Sequence, residues 1–326
     1  MAKYKVSESA LGVLWDGLKL YCTYFPKYSL YMLFPVLGQL AGLLWVFSMT
    51  YLFTKNADYL IQEIPALNSM STFLICIMLI ALPGMILWMK AFWDYLVAYG
   101  ALNSMTDGAM STGKIYDFPA HNAVVTGRAG TFILIWLLFS IFSAVAAFPL
   151  CWILGLIFFV YFVLIFQIFT FEEDVSAKGC FKRSLMLIKG NFAKTLAIMT
   201  VLFAVTYYFL EIGVSVIFDA AKITPLLLSL FEGFASTIPV DGINSMLSLA
   251  GAPQITPLDI SNSIVQQIIF FIVVGFTLPF RSIVWTLWYK NLSDRNGVPA
   301  VVRSVKKGGR KKLDPEILKR AQRKDD

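Results

Sequence analysis

Charged side chains set inside long apolar stretches are the first place to look for chemistry in this chain. Five stand out. Lys90 and Asp94 lie one helical turn apart among Trp88, Trp93 and Tyr95, Glu172 and Glu173 close a run of 41 residues without a charge, and Arg281 follows Pro279 in the last apolar stretch. An ionised group in hydrocarbon costs a few kcal/mol or more, so such residues pair with one another, meet backbone carbonyls or line a polar path. Lys90 and Asp94 are spaced to meet on one helix face. Arg281 has Glu172 and Glu173 as its expected partners, with Asp94 as the next choice; the alternative is a guanidinium snorkelling to the headgroups on its long stem. There is no HExxH, Walker loop, GxSxG or EF-hand. His121 is the sole histidine, and Cys22, Cys76, Cys151 and Cys180 form no CxxC pair, which argues against a zinc or iron site. No catalytic residue, metal or cofactor is assigned, and the reading favours a non-enzyme.

The elements that hold these charges are hydrophobic. Of 326 residues, 58% are hydrophobic and 14% charged, where a soluble domain carries about 25% charged residues. Mean hydropathy is +0.71. The fold class expected is all-α: a polytopic membrane bundle of six transmembrane helices plus interfacial amphipathic helices. The spans read as 28–53, 71–98, 131–148, 150–171, 195–218 and 264–288. The uncharged run from Thr131 to Phe171 would be about 60 Å long as one helix, twice the hydrocarbon core, so it must turn back as a hairpin. In the first span Gly38 and Gly42 form a GxxxG pair, which allows close helix approach. In the second, Pro83-Gly84 should kink the helix.

Between the spans lie two amphipathic stretches. Residues 1–27 carry Leu11, Leu14, Trp15, Leu18, Tyr21, Cys22 and Phe25 at helical spacing. Residues 176–192 place Lys178, Lys182 and Lys189 within about 40° of one another, opposite an arc containing Ala177, Cys180, Phe181, Ser184, Leu185, Leu187 and Ile188. Such helices lie in the headgroup plane. The segment 103–130 reads as a polar loop with His121 at its surface. The outer loop 219–262 holds an apolar stretch between Pro225 and Pro239, too short to span and expected to be interfacial or re-entrant. Thr256-Pro257 followed by Asp259 reads as a helix start.

Lys/Arg counts alternate along the chain. Four precede the first span, two lie in the 99–130 segment, five in the 172–194 segment and twelve in the 290–326 tail, against one, none and one in the intervening segments. The positive-inside rule then puts both termini in the cytoplasm of an inner membrane. The tail carries twelve basic and five acidic residues, the whole net charge of +7. With Lys178, Lys182 and Lys189, its Lys306, Lys307, Arg310, Lys311 and Lys312 are the candidate contacts to anionic lipid headgroups.

The two amphipathic stretches align at an offset of 167: Leu18 with Leu185, Leu20 with Leu187, Phe25 with Phe192, Lys27 with Lys194. Two parallel units, each an interfacial helix with two spans, would then flank the central hairpin. The acidic pair followed by KRSLMLIKGNF resembles the membrane domain fused to bacterial glycerophosphoryl diester phosphodiesterases, and related free-standing six-span inner-membrane proteins. The residues carrying the resemblance are Glu172 or Glu173, Arg183-Ser184, Leu187, Lys189-Gly190 and Phe192. The catalytic barrel is absent, so the resemblance implies a membrane architecture and no reaction.

Three functions are consistent with these features. The first is a non-enzymatic inner-membrane protein that binds lipid or a protein partner, or self-associates, in organising the envelope. The second is a transporter or its membrane subunit. The third is an insertase-like protein whose basic tail meets the ribosome, with no specific nucleic-acid recognition otherwise.

Overall fold

The computed structural model describes residues 9–295 except 116, 147, 149, 150, 173, 174, 237, 239, 250 and 252. No strand occurs among the described residues, and the protein is an all-α polytopic membrane helix bundle. In chain order the helices are α1 (Ala10–Thr23), α2 (Phe25–Lys55), α3 (Ala57–Glu63), a 3-10 turn (Pro65–Asn68), α4 (Met70–Thr112), α5 (Phe118–Thr126) and α6 (Ala129–Ala146). Then follow α7 (Trp152–Phe162), α8 (Ile165–Phe171), α9 (Ala177–Ile188), α10 (Phe192–Ala204), a π turn (Val205–Phe209) and α11 (Leu210–Ala220). The last are α12 (Ile223–Ala235), α13 (Val240–Leu249) and α14 (Pro257–Arg295). Six helical segments are long and apolar enough to cross a membrane: Phe25–Lys55, Met70–Thr112, Ala129–Ala146, Trp152–Phe171, Phe192–Ala220 and Pro257–Arg295.

One of these departs from the sequence expectation: α4 runs on to Thr112, through residues that read as a loop. α14 begins at Pro257, where the sequence reads a helix start, and runs without a break into the last span expected from 264. The extension of α4 is held by an apolar stripe: Ala98, Ala101, Leu102, Met105 and Ala109 recur at helical spacing and are buried. The start of α14 is fixed by its cap. Thr256 donates its amide and its hydroxyl to Asp259 Oδ2, at 2.8 and 2.6 Å, and the Asp259 amide returns a bond to Thr256 Oγ1. This reciprocal arrangement satisfies amides that the helix leaves open.

The chain forms two compact units. The first comprises Met1–Ser29, Leu96–Leu202 and Leu278–Asp326; the second comprises Leu30–Tyr95 and Phe203–Thr277.

In the first unit the second half of α14 is the hub. Ile283, Val284, Leu287, Trp288, Tyr289 and Leu292 are all buried. α1 meets it through Gly17, where an added Cβ would lie 2.6 Å from Val284 Cγ2. α10 meets it through Thr195, whose hydroxyl accepts the Trp288 indole N–H at 3.0 Å, and α8 through Phe171, which stacks on Tyr289. The hairpin expected from the uncharged run is present as α6 against α7–α8, joined by rings such as Phe132–Phe169, Trp136–Phe166 and Phe142–Phe158.

α9 packs on that hairpin. Its N-cap Ser176 accepts from the Gly179 amide, and Ala177, Cys180, Ser184, Leu187 and Ile188 are buried. Phe181 meets the rings of Phe142 and Phe162. Ser184 Oγ donates to the Tyr161 carbonyl at 2.7 Å, just before the break between α7 and α8. Lys178, Lys182 and Lys189 are exposed.

In the second unit the GxxxG pair of α2 makes a contact. A Cβ on Gly42 would lie 2.6 Å from the Gly84 carbonyl oxygen and 2.7 Å from the Trp88 amide nitrogen, and one on Gly38 would lie 2.9 Å from Ala91 Cβ. α2 and α4 therefore cross with backbone against backbone, at the Pro83-Gly84 step. Val36 packs on Gly275, while Leu44 packs against the Phe231, Val265, Ile269 and Val273 cluster, so α2 and α14 run antiparallel.

Candidate functional site

Each unit contains one arrangement that goes beyond packing: a buried polar network in the first and an apolar cavity in the second.

The network centres on Asn103 of α4, which is fully buried. Asn103 Oδ1 accepts from Ser282 Oγ at 2.7 Å, Thr286 Oγ1 at 3.1 Å and Gln167 Nε2 at 3.2 Å. Its Nδ2 donates to Thr170 Oγ1 at 3.3 Å. Four side chains from α8 and α14 thus satisfy one amide where water is absent, and a buried amide without such partners costs several kcal/mol. Tyr28 and Thr106 share a hydrogen bond at 3.3 Å, and Lys290 pairs with Asp107.

A charged layer borders the end of α8. Arg128 donates from Nη1 to the Glu172 carbonyl at 3.0 Å and from Nη2 to the Phe169 carbonyl, with its guanidinium over the Phe169 ring. It thereby caps helix carbonyls that have no partner within the helix. The Glu172 carboxylate accepts from Arg183 Nε at 3.2 Å and from the Tyr289 hydroxyl at 3.0 Å. Arg183 and Tyr289 are the partners that the structure gives Glu172, and both were missed from the sequence. Arg281 is half-buried on α14. Glu173 lies outside the described residues, as do Lys306, Lys307, Arg310, Lys311 and Lys312. Lys90 and Asp94, in the second unit, form the expected i,i+4 pair at 2.5 Å, with Lys90 largely exposed.

His121 is not a surface residue. It is buried on α5, with Nδ1 2.9 Å from Ser104 Oγ, and burial pulls its pKa down to about 4. Burial likewise pushes the Cys180 thiol up to about 12, keeping it protonated and unreactive. No group of three or more His, Cys, Asp or Glu placed to hold a metal occurs among the described residues.

The cavity of the second unit has a volume of about 640 Å³ and is bounded by α2, α4, α12 and α14. Its walls are Leu40, Leu43, Leu44, Phe47, Trp88 and Phe231, with Ile260, Ile264, Ile268 and Phe271 facing them from α14. Polar groups are few and placed in order. Asp259, Ser263 and Gln267 line the cavity from α14 at i,i+4 spacing, so that face grades from carboxylate through hydroxyl and amide to the Phe271 ring. Asp259 to Phe271 covers about 18 Å of helix. Gln39 lies toward the Phe271 end, given the antiparallel run of α2, and its Nε2 donates to the Pro35 carbonyl at 2.7 Å. The grouping of Gln39 and Gln267 around a void is not legible in the sequence, because no local pattern reports that α2 and α14 lie side by side. An apolar chamber of this size with a few polar groups is the usual form of a small-molecule site.

No family model matches the chain, and neither does any curated protein or solved structure.

Proposed function

We propose that the protein is a non-enzymatic, multi-pass protein of the bacterial inner membrane that binds lipid, with both termini in the cytoplasm. The observation that carries this reading is the 640 Å³ cavity, walled by leucine, isoleucine and aromatic side chains within a bundle of membrane helices. In a bilayer the molecules available to fill such a space are lipids, and burying their chains against protein satisfies the same apolar surface that the cavity leaves open. The exposed Lys178, Lys182 and Lys189 on α9 and the basic tail supply headgroup contacts on the cytoplasmic face. Leu11, Trp15 and Leu18 of α1, with Phe25 at the start of α2, are exposed apolar residues that suit the interface.

The deciding experiment is lipid retention. Protein purified in mild detergent should carry lipid detectable by native mass spectrometry. Ser263→Trp, which introduces a bulky ring at the cavity wall, should reduce that lipid while leaving the melting temperature in place. Unchanged lipid content would sink the reading. For the orientation, a single cysteine at Ser111 should resist a membrane-impermeant thiol reagent in intact cells and one at Ser248 should react; labelling at Ser111 overturns it.

A transporter is the second reading, favoured by the cavity together with the interruptions of the spans at Val163-Leu164 and at the π turn Val205–Phe209. Substrate-dependent flux in proteoliposomes would establish it in place of static lipid binding.

A further inference from the structure

The polar lining of the cavity narrows the class of lipid, an inference that rests on the lipid-binding reading above. Among the sixteen lining residues there is one ionised side chain, Asp259, and no lysine, arginine or histidine. The remaining polar groups are Ser263, Gln39 and Gln267. Phosphate headgroups are ordinarily held by cationic side chains or by free amides at a helix start. Here the helix start is already occupied. Asp259 sits in the first turn of α14, and its Oδ2 takes both the amide and the hydroxyl of Thr256. The favourable field of that helix end is spent on the protein's own carboxylate, and an incoming phosphate would face a like charge at the exposed rim of the cavity.

The geometry points to a lipid with a hydroxyl head and no phosphate as the occupant of this cavity. Its hydrocarbon lies against the Leu40–Phe47 face of α2 and Ile260, Ile264 and Ile268 of α14. Its hydroxyls donate to the Asp259 carboxylate and exchange hydrogen bonds with Ser263 at the start of α14. Selection comes as much from repulsion of the phosphorylated analogue as from attraction of the alcohol. The cavity and the basic surfaces are therefore expected to prefer opposite headgroups: Lys178, Lys182 and Lys189 meet anionic lipid, while the chamber excludes it.

Two probes with the same acyl chain test this: monooleoylglycerol and oleoyl lysophosphatidate, titrated onto delipidated full-length protein and read by native mass spectrometry. Monooleoylglycerol should bind more tightly, by roughly threefold, since solvent screens the like-charge repulsion at the exposed Asp259. Asp259→Asn should narrow the gap by raising lysophosphatidate affinity, since the amide keeps an acceptor for Thr256 while removing the charge. Ser263→Trp should weaken both probes. Ile264→Trp serves as a second blocking variant if that one misfolds. Equal binding of the two probes, tighter lysophosphatidate, or an Asp259→Asn profile identical to wild type overturns the headgroup assignment and leaves lipid binding standing. Failure of both probes to bind, with lipid content unaffected by either tryptophan, overturns both.

Discussion

α1 and α9 look alike as sequences and behave differently as structures. Both place apolar residues on one arc and basic residues off it, both precede a long apolar helix, and their leucines and phenylalanines align at one offset. In the first unit α9 turns its arc onto the α6–α8 hairpin and buries Cys180, Ser184, Leu187 and Ile188. α1 buries Val13, Gly17 and Leu20, a different face from the one its periodicity advertises, and leaves Leu11, Trp15 and Leu18 exposed. The reason lies in the small residue. Gly17 lets α1 approach α14 so closely that Val284 fills the place of a side chain, and the backbone follows the tightest approach rather than the largest apolar arc. An apolar periodicity thus says that a face will leave water, while the choice between protein and lipid is made by local shape.

The sharpest way to break this contrast is to truncate one leucine on each helix. Leu187→Ala removes a buried side chain and should cost about 2–5 kcal/mol, whereas Leu18→Ala should stay within about 0.5 kcal/mol. Reversible unfolding in mixed micelles checks both; equal losses would show that α1 is as covered as α9. Next in size is Gly17→Ala. The new Cβ would lie 2.6 Å from a methyl of Val284, a buried β-branched side chain stiff at χ1, so the expected loss is about 1–3 kcal/mol, and Val284→Ala in the same chain should recover part of it. Full additivity in that double variant would deny the close approach.

The same distinction between covered and uncovered residues extends to protonation. His121 is held neutral by burial, with a pKa of about 4 against 6.5 for the free side chain. The unfolded chain therefore binds more protons than the folded one between those values. Stability from this residue is complete above pH 6.5 and declines as the pH falls toward 4. Melting temperatures across that range should fall less steeply in His121→Gln than in wild type; parallel curves would refute the assignment. The smallest effect on stability is expected for exchanging Lys178, Lys182 and Lys189 together for glutamine, within about 0.5 kcal/mol. The same variant should lose roughly 1 kcal/mol per residue in attraction to anionic vesicles, an effect that added salt removes.

How far the sequence reveals the molecule follows the same logic. Six spans, the hairpin and the Thr256–Asp259 cap are legible because each rests on run length or local spacing. The Gly38/Gly42 motif marked a contact because only a close approach makes glycine useful there. What escaped was the polar network. Asn103, Ser104, Thr106 and Asp107 read as loop by their polarity, yet the stripe of Ala98, Ala101, Leu102, Met105 and Ala109 runs through them at helical spacing. Asn103 is paired with residues 64 to 183 positions away, and no local pattern reports a partner at that distance. The Glu172–Arg183 pair lies only eleven residues apart and was still missed, because Arg183 sits between the apolar and basic arcs of α9, where helical spacing alone names no partner.

One contact bears on how the bundle is assembled. The Trp45 indole N–H donates at 3.2 Å to the carbonyl of Ile80, three residues before Pro83, and Gly42 lies against Gly84, the residue after it. A proline inside a helix disturbs the backbone bonding around it, and in lipid no water is present to repair the damage. Pro83 cannot bond the Leu79 carbonyl, and the next carbonyl along, that of Ile80, takes a donor from α2, which is synthesised first. By the time Pro83 enters the bilayer, the donor for this turn and the glycine that admits its close approach are already in place. Exchanging the order of these two helices along the chain would ask the proline-bearing span to wait in hydrocarbon for its partner, so the order of synthesis is itself part of what lets this turn hold.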